Sequence, residues 1–159
     1  MELKSLLNGI EGLKAKGNLD TDVKGITHNS KNVKEGDMFI AIKGFETDGH
    51  NYIKDAVDNG AKVIVIQEGS TIKKSDIKED TIVISAPDTR IATSKIACNF
   101  YKNPSAKFKL IGVTGTKGKT TTTFMIKRVL EKAGHKVGLI GTVANYIGDK
   151  NLGESSRTT

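Results

Sequence analysis

Apolar positions fall into two alternating rhythms along the chain. Leu3, Leu6, Leu7 and Ile10 are spaced as on one face of a helix spanning residues 2–10. Val23 to Thr27 reads as a short strand. Gly36-Asp37 marks a turn, and the unbroken run Met38-Phe39-Ile40-Ala41-Ile42 predicts a buried strand. Gly44 to Gly49 is a loop. From His50 to Asn59 the spacing returns to a helix, with Tyr52, Ile53, Ala56 and Val57 on one face and Gly60 placed to stop it. Lys62–Gln67 and Thr81–Ser85 are β-branched runs and predict strands, joined by a charged surface connection over 73–80. Pro87-Asp88 opens another helix, with Asp88 as N-cap and Ala92, Ile96 and Phe100 at i, i+4, i+8. Asn103-Pro104-Ser105 ends it.

A second unit starts there, so the expected domains are 1–104 and 105–159. Phe108 to Val113 predicts a strand, a glycine-rich turn follows, and Lys119 to Ala133 predicts a helix whose inner face is Ile126, Val129, Leu130 and Ala133. Gly134 ends that helix, and Lys136 to Ile140 predicts the next strand. This is one β-loop-α-β unit of about 33 residues, expected to form a right-handed parallel crossover. No second crossover follows. The fold class is α/β: a mixed α/β N-terminal domain, then the start of a parallel-sheet domain.

Charge sharpens this division. The 159 residues carry 25 Lys+Arg and 18 Asp+Glu, a net of +7. Residues 1–104 hold 15 basic and 15 acidic side chains; residues 105–159 hold 10 and 3, so the whole excess lies in the second unit. An anion-binding segment is the direct implication. Nucleic acid is disfavoured, because aromatics are 5% with no Trp, and no recognition motif is present. A single cysteine, Cys98, excludes a disulfide framework and a cysteine zinc site. Cys98 reads as a small core or half-buried residue of its helix. No apolar run reaches the ~18–20 residues of a membrane span, and the N-terminus has no secretory pattern. The expectation is a cytoplasmic monomer with no membrane or nucleic-acid partner.

The basic segment contains Thr114-Gly115-Thr116-Lys117-Gly118-Lys119-Thr120-Thr121 between the expected strand and helix. Glycines there let successive amides converge on phosphate oxygens, and the helix adds its free donors and the positive end of its dipole. Lys119 can reach β- and γ-phosphates, and the Thr120 hydroxyl is the candidate Mg²⁺ ligand. The usual pattern has Gly five residues before Gly118; here that position is Val113. ATP is the expected nucleotide.

The loop resembles that of the Mur ligases, in which Asn commonly stands where Lys117 does. The N-terminal region is similar too: Asn29-Ser30-Lys31, Val33, Gly36-Asp37-Met38-Phe39-Ile40-Ala41-Ile42, Gly44 and Asp48-Gly49-His50. In that family this segment holds the uridine-diphosphate end of the substrate, usually with Asp-Ser-Arg at 29–31. The resemblance implies nucleotide-sugar contacts from His28, Asn29, Ser30, Phe45, Glu46 and Thr47. Gly141-Thr142-Val143 and Thr158-Thr159 resemble the branch adding the third residue of the peptidoglycan stem peptide (the MurE type), where the threonine pair contacts the muramoyl peptide. Arg157 replaces the usual preceding Asn.

The resemblance implies an ATP- and Mg²⁺-dependent amide ligase. It would phosphorylate the carboxylate of UDP-MurNAc-L-Ala-D-Glu and pass the acyl phosphate to the amine of a diamino acid, meso-diaminopimelate or L-lysine. A ligase adding D-Ala-D-Ala (the MurF type) and a non-catalytic nucleotide-binding module are the alternatives. The family's enzymes are longer, so the chain reads as an N-terminal fragment that binds without turnover and contains no assignable catalytic residue. Among the remaining polar residues, His28 reads as exposed or structural, His50 as a helix-start residue, His135 as a helix-end cation, Asp48 as a turn former or ligand, and Lys73-Lys74 as a solvated face.

Overall fold

A computed structural model describes residues 1–45 and 47–153. The chain divides into two compact units, Met1–Phe108 and Lys109–Thr159.

The first unit is a five-stranded sheet built from β1 (Lys14–Lys16), β2 (Ile26–Thr27), β3 (Met38–Ile40), β4 (Val63–Gln67) and β5 (Ile82–Ala86), in the order β1-β5-β4-β3-β2. Strands β2 to β5 are parallel, and β1 runs antiparallel to β5 at one edge. Strand alternation divides the core between the two faces. Met38, Ile40, Val63, Val65, Ile82 and Ile84 pack with Leu3 and Leu6 of α1 (Leu3–Leu7) and with Ala92 and Ile96 of α3 (Thr89–Phe100). Phe39, Ala41, Ile64 and Ile66 pack with Ile53, Ala56 and Val57 of α2 (Ile53–Asp58). Covering both faces explains why β3 and β4 read as continuous apolar runs rather than alternating ones.

Two local details differ from the sequence reading. The element beginning near His50 opens as a 3-10 turn over Gly49–Tyr52, and only then becomes α2, because the Asp48 carboxylate accepts from the His50 amide and tightens the first turn. Strand β1 is not signalled by its exposed Lys-Ala-Lys sequence; its backbone pairing with Val83–Ser85 creates it. Elsewhere, Asp88 caps α3 as expected, accepting from the amides of Arg90 and Ile91 at 2.7 and 3.0 Å. The helix stops at Phe100. Lys102 and Asn103 then adopt left-handed backbone, with φ of 58° and 50°, ahead of the Pro104 turn. Cys98 is half-buried.

The second unit contains α4 (Lys119–Lys132) and a small antiparallel sheet, β6 (Gly138–Leu139), β7 (Tyr146–Ile147) and β8 (Lys150–Asn151). The α4 C-terminus closes with the paired bonds of a Schellman motif: Gly134 N–H to Glu131 C=O at 2.9 Å, and His135 N–H to Leu130 C=O at 3.0 Å. Here the expected pairing is corrected. Phe108–Val113 forms no ladder among the described residues, and Leu110 is 75% exposed. The expected strand at Lys136–Ile140 shortens to β6, which pairs antiparallel with β7 instead of parallel with 108–113. An extended segment becomes a strand only when a neighbour takes its amides.

The inner face of α4 is also corrected. Val129 is 68% exposed, and Ala133 is exposed. Lys127 is the buried residue, paired with Glu131 at 2.7 Å and set over the Tyr146 ring, which meets Phe124 edge-on. With no sheet laid along the aliphatic face among the described residues, the helix packs through the side that meets the β6–β8 hairpins.

Candidate functional site

In the first unit, parallel strands align their C-terminal ends along one edge, the place where open α/β sheets bind ligands. His28, Asn29 and Ser30 follow β2. The loop holding Phe45 and Thr47 follows β3, the strand paired with β2. The sheet thus brings these two expected groups to one edge. His28 and Asn29 are exposed, while Ser30 is buried at the start of a 3-10 turn. The Asn29 side chain caps that turn, accepting from the Lys31 amide at 3.1 Å, and Asn59 Nδ2 donates to the Ser30 carbonyl at 3.0 Å. Glu46, Thr158 and Thr159 lie outside the described residues.

Lys43 and Asp48 form an antiparallel bridge, and the Gly44 amide donates to the Thr47 carbonyl at 2.9 Å. Gly49 lies so close to the end of β3 that an added Cβ would sit 2.7 Å from both N and O of Ile42. Phe45 stands 90% exposed at the tip, with the Arg90 guanidinium 5.6 Å from its ring centroid. Arg90 Nη2 also donates to the Lys43 carbonyl at 2.9 Å.

At the other end of the loop, Asp48 Oδ1 meets His50 Nδ1 at 2.5 Å. His50 Nε2 accepts the Gln67 backbone N–H at 3.0 Å, so the ring proton on Nδ1 faces Asp48. The His50 ring is thus bonded at both nitrogens rather than merely opening a helix. Burial pushes the Asp48 carboxyl upward, but the His50 amide and ring, with Lys43 nearby, outweigh it and hold the carboxyl below its ordinary 3.8. Gln67 in turn accepts from the Thr89 amide and hydroxyl at 3.1 and 3.3 Å and donates to the Pro87 carbonyl. Sequence reasoning missed Gln67 and Arg90. Their signal was positional, since a strand's last residue and a capped helix's first turn fall on the ligand-binding edge.

The second unit's glycine loop follows extended backbone and opens α4. Gly115 and Gly118 have φ of 150° and 79°, a region open to glycine but strained for other residues. Gly118 is the N-cap and supplies no side-chain cap. Among the described residues, the amides from Gly115 to Thr121 donate to no protein acceptor. Free amides at a helix start are the donors a phosphate group takes. Lys119 Nζ folds back over the loop, donating to the Gly115 carbonyl at 2.6 Å. Thr114, Thr116, Lys117, Thr120 and Thr121 are exposed around it. No group of three or more His, Cys, Asp or Glu side chains among the described residues could hold a metal ion. The Thr120 hydroxyl, an oxygen donor of the kind Mg²⁺ takes, is exposed at the helix start.

One unit thus presents a loop at the edge of an open α/β sheet, and the other presents a glycine-rich loop that opens a helix. Residues 22–106 match the Mur ligase family catalytic domain, and residues 113–159 match the Mur ligase middle domain. The chain belongs to the Mur ligase family. It is 47% identical over all 159 residues to the UDP-N-acetylmuramoyl-L-alanyl-D-glutamate–2,6-diaminopimelate ligase of Clostridium tetani, covering 32% of that protein, and 45% identical to the namesake in Clostridium perfringens with the same coverage. The chain spans about a third of the length of these curated relatives. Among solved structures it is similar to a UDP-N-acetylmuramoylalanyl-D-glutamyl-2,6-diaminopimelate–D-alanyl-D-alanyl ligase of Acinetobacter baumannii: 28% identity, TM-score 0.59, covering 82% of this chain and 28% of that one. A structure titled as a UDP-N-acetylmuramoyl-L-alanyl-D-glutamate–2,6-diaminopimelate ligase shares the fold at 18% identity, with TM-score 0.63 and coverage of 95% and 29%.

Proposed function

We propose that these residues form the nucleotide-sugar and ATP-phosphate sites of a ligase that adds 2,6-diaminopimelate to UDP-MurNAc-L-Ala-D-Glu. The observation that carries the reading is the pair of candidate sites on separate units: the β2–β3 edge with Ser30 and the exposed Phe45, and the free amides from Gly115 to Thr121. The whole-chain likeness to diaminopimelate ligases favours this step over D-Ala-D-Ala addition, although relatives of both kinds share the fold.

In this reading Phe45 offers a flat ring to the uracil, while His28, Asn29, Ser30, Glu46 and Thr47 surround the nucleotide end. Thr158 and Thr159 meet the muramoyl peptide. Loop amides from Thr114 to Thr121 and the Lys119 ammonium hold the ATP phosphates, and Thr120 holds Mg²⁺. A carboxylate is a poor electrophile. Bringing it up to ATP sets two anions together, and fixed donors and the cation offset that repulsion. The resulting acyl phosphate takes the amine of the diamino acid, releasing phosphate. We place this chemistry in the cytoplasm, where ATP and nucleotide sugars are held, and assign a monomer. Among the described residues no helix is long and apolar enough to cross a membrane.

Calorimetric titration tests the reading. The 159-residue chain is expected to bind UDP and Mg²⁺–ADP independently and to form no amide product from UDP-MurNAc-L-Ala-D-Glu, ATP and diaminopimelate. Product formation by this chain alone would overturn the binding-only assignment. Absence of UDP binding would overturn the nucleotide-sugar site.

A further inference from the structure

Neither Arg90 nor His50 stands among the nucleotide contacts proposed above, yet between them they tie down both ends of the loop that carries those contacts. Arg90 donates to the Lys43 carbonyl at the loop's entry and covers the Phe45 ring. His50 bonds Asp48 at the loop's exit through Nδ1 and takes the Gln67 amide on Nε2. Each tie leads to the same part of the scaffold. Arg90 is in the first turn of α3, and Gln67 ends β4 while its side chain accepts from Thr89, the first residue of α3. The loop is therefore fixed to one strand end and one helix start, 17 and 47 residues away in sequence. The His50 side chain is only 11% exposed, so this tie is shielded from water, and the Phe45 ring it serves is 90% exposed.

An exposed aromatic on an untethered loop would have to be ordered when a base stacked on it. Ordering a side chain on binding costs affinity. We propose that Arg90 and His50 are positioning residues for nucleotide-sugar binding, holding Lys43, Phe45 and Asp48 in place before the ligand arrives. This inference rests on the assignment of that loop to the uridine end of the substrate.

The test titrates UDP into the full 159-residue chain and into four variants. Arg90→Ala and His50→Ala are expected to weaken UDP binding about tenfold each, the loss of pre-organisation seen as affinity. His50→Gln places a carbonyl oxygen near the Nε2 position, where it can still accept the Gln67 amide. It is expected to recover most of the affinity lost in His50→Ala. Arg90→Lys keeps the charge but loses the flat fork over Phe45, and should recover little. Melting temperature is read in parallel. Two results would overturn the proposal while leaving the uridine site intact: wild-type affinity in both alanine variants, or His50→Gln as weak as His50→Ala. A wild-type chain that does not bind UDP overturns the site assignment and this proposal together.

Discussion

The two units obey the same sequence rules and reach different degrees of completion. In Met1–Phe108 nearly every apolar run finds its neighbour, and the buried set includes Phe39, Ile64, Ile84 and Ile96 at full burial. In Lys109–Thr159 the buried hydrophobics among the described residues are Leu139 and Ala144, while Leu110, Met125, Val129 and Ile140 are more than half exposed. The helix, its Schellman stop and the glycine loop all form there, because each is decided within a few residues. The strand over 108–113 does not, because a strand is a relation between distant segments. Local code survives without a sheet around it; pairing code does not.

The sharpest way to break this contrast is to delete similar side chains in both units. Ile64→Ala removes a fully buried side chain between α2 and the sheet and is expected to cost about 2–5 kcal/mol. Val129→Ala, on the open face of α4, should stay within about 0.5 kcal/mol. Urea unfolding measures both, and equal costs would mean the second unit is as well packed as the first.

Next in size is a functional split. Lys119→Ala is expected to weaken Mg²⁺–ADP binding about ten- to a hundredfold, the worth of a charge-assisted contact. UDP affinity should be unchanged in the same titrations. Parallel loss of both ligands would merge the two sites into one.

A smaller effect tests how the helices start. Asp88→Ala strips the cap from α3 and should destabilise the first unit by about 1 kcal/mol. Helix α4 has no side-chain cap to lose, since Gly118 leaves its amides free.

The smallest effect is a pH dependence. The Asp48 carboxyl is held below its unfolded value of 3.8, so its stabilising contribution is fully present above that pH and is lost as pH falls through the lower folded value. Wild-type stability should therefore fall more steeply in acid than that of Asp48→Asn. Coincident acid-denaturation curves would remove the His50 pairing from the energetics.

How much was legible follows the same division. Asp88, the glycine turn that opens α4 and strands β3 to β5 were readable because caps, glycine turns and β-branched runs act locally. The edge site was half readable: His28 to Ser30 and Phe45 to Thr47 stood out as segments. Nothing in them announced that His50 would reach the Gln67 amide or Arg90 the Lys43 carbonyl, since those contacts depend on which strands end side by side. Strand β1 escaped because its Lys-Ala-Lys has no apolar alternation. The inner face of α4 was misread because helical periodicity says which residues share a face and not what that face will meet.

That unassuming β1 has a consequence for how the molecule behaves in company. It is the sheet's outermost ribbon on one side, and an outermost ribbon leaves backbone donors and acceptors open to a stranger's chain. Lys14 and Lys16 flank Ala15 there, both exposed, and Lys14 is drawn to Glu68. A second molecule sliding in to extend the sheet would have to bring its own strand against two ammonium groups and strip their water. The short, charged rim is thus a poor template for a stranger's strand.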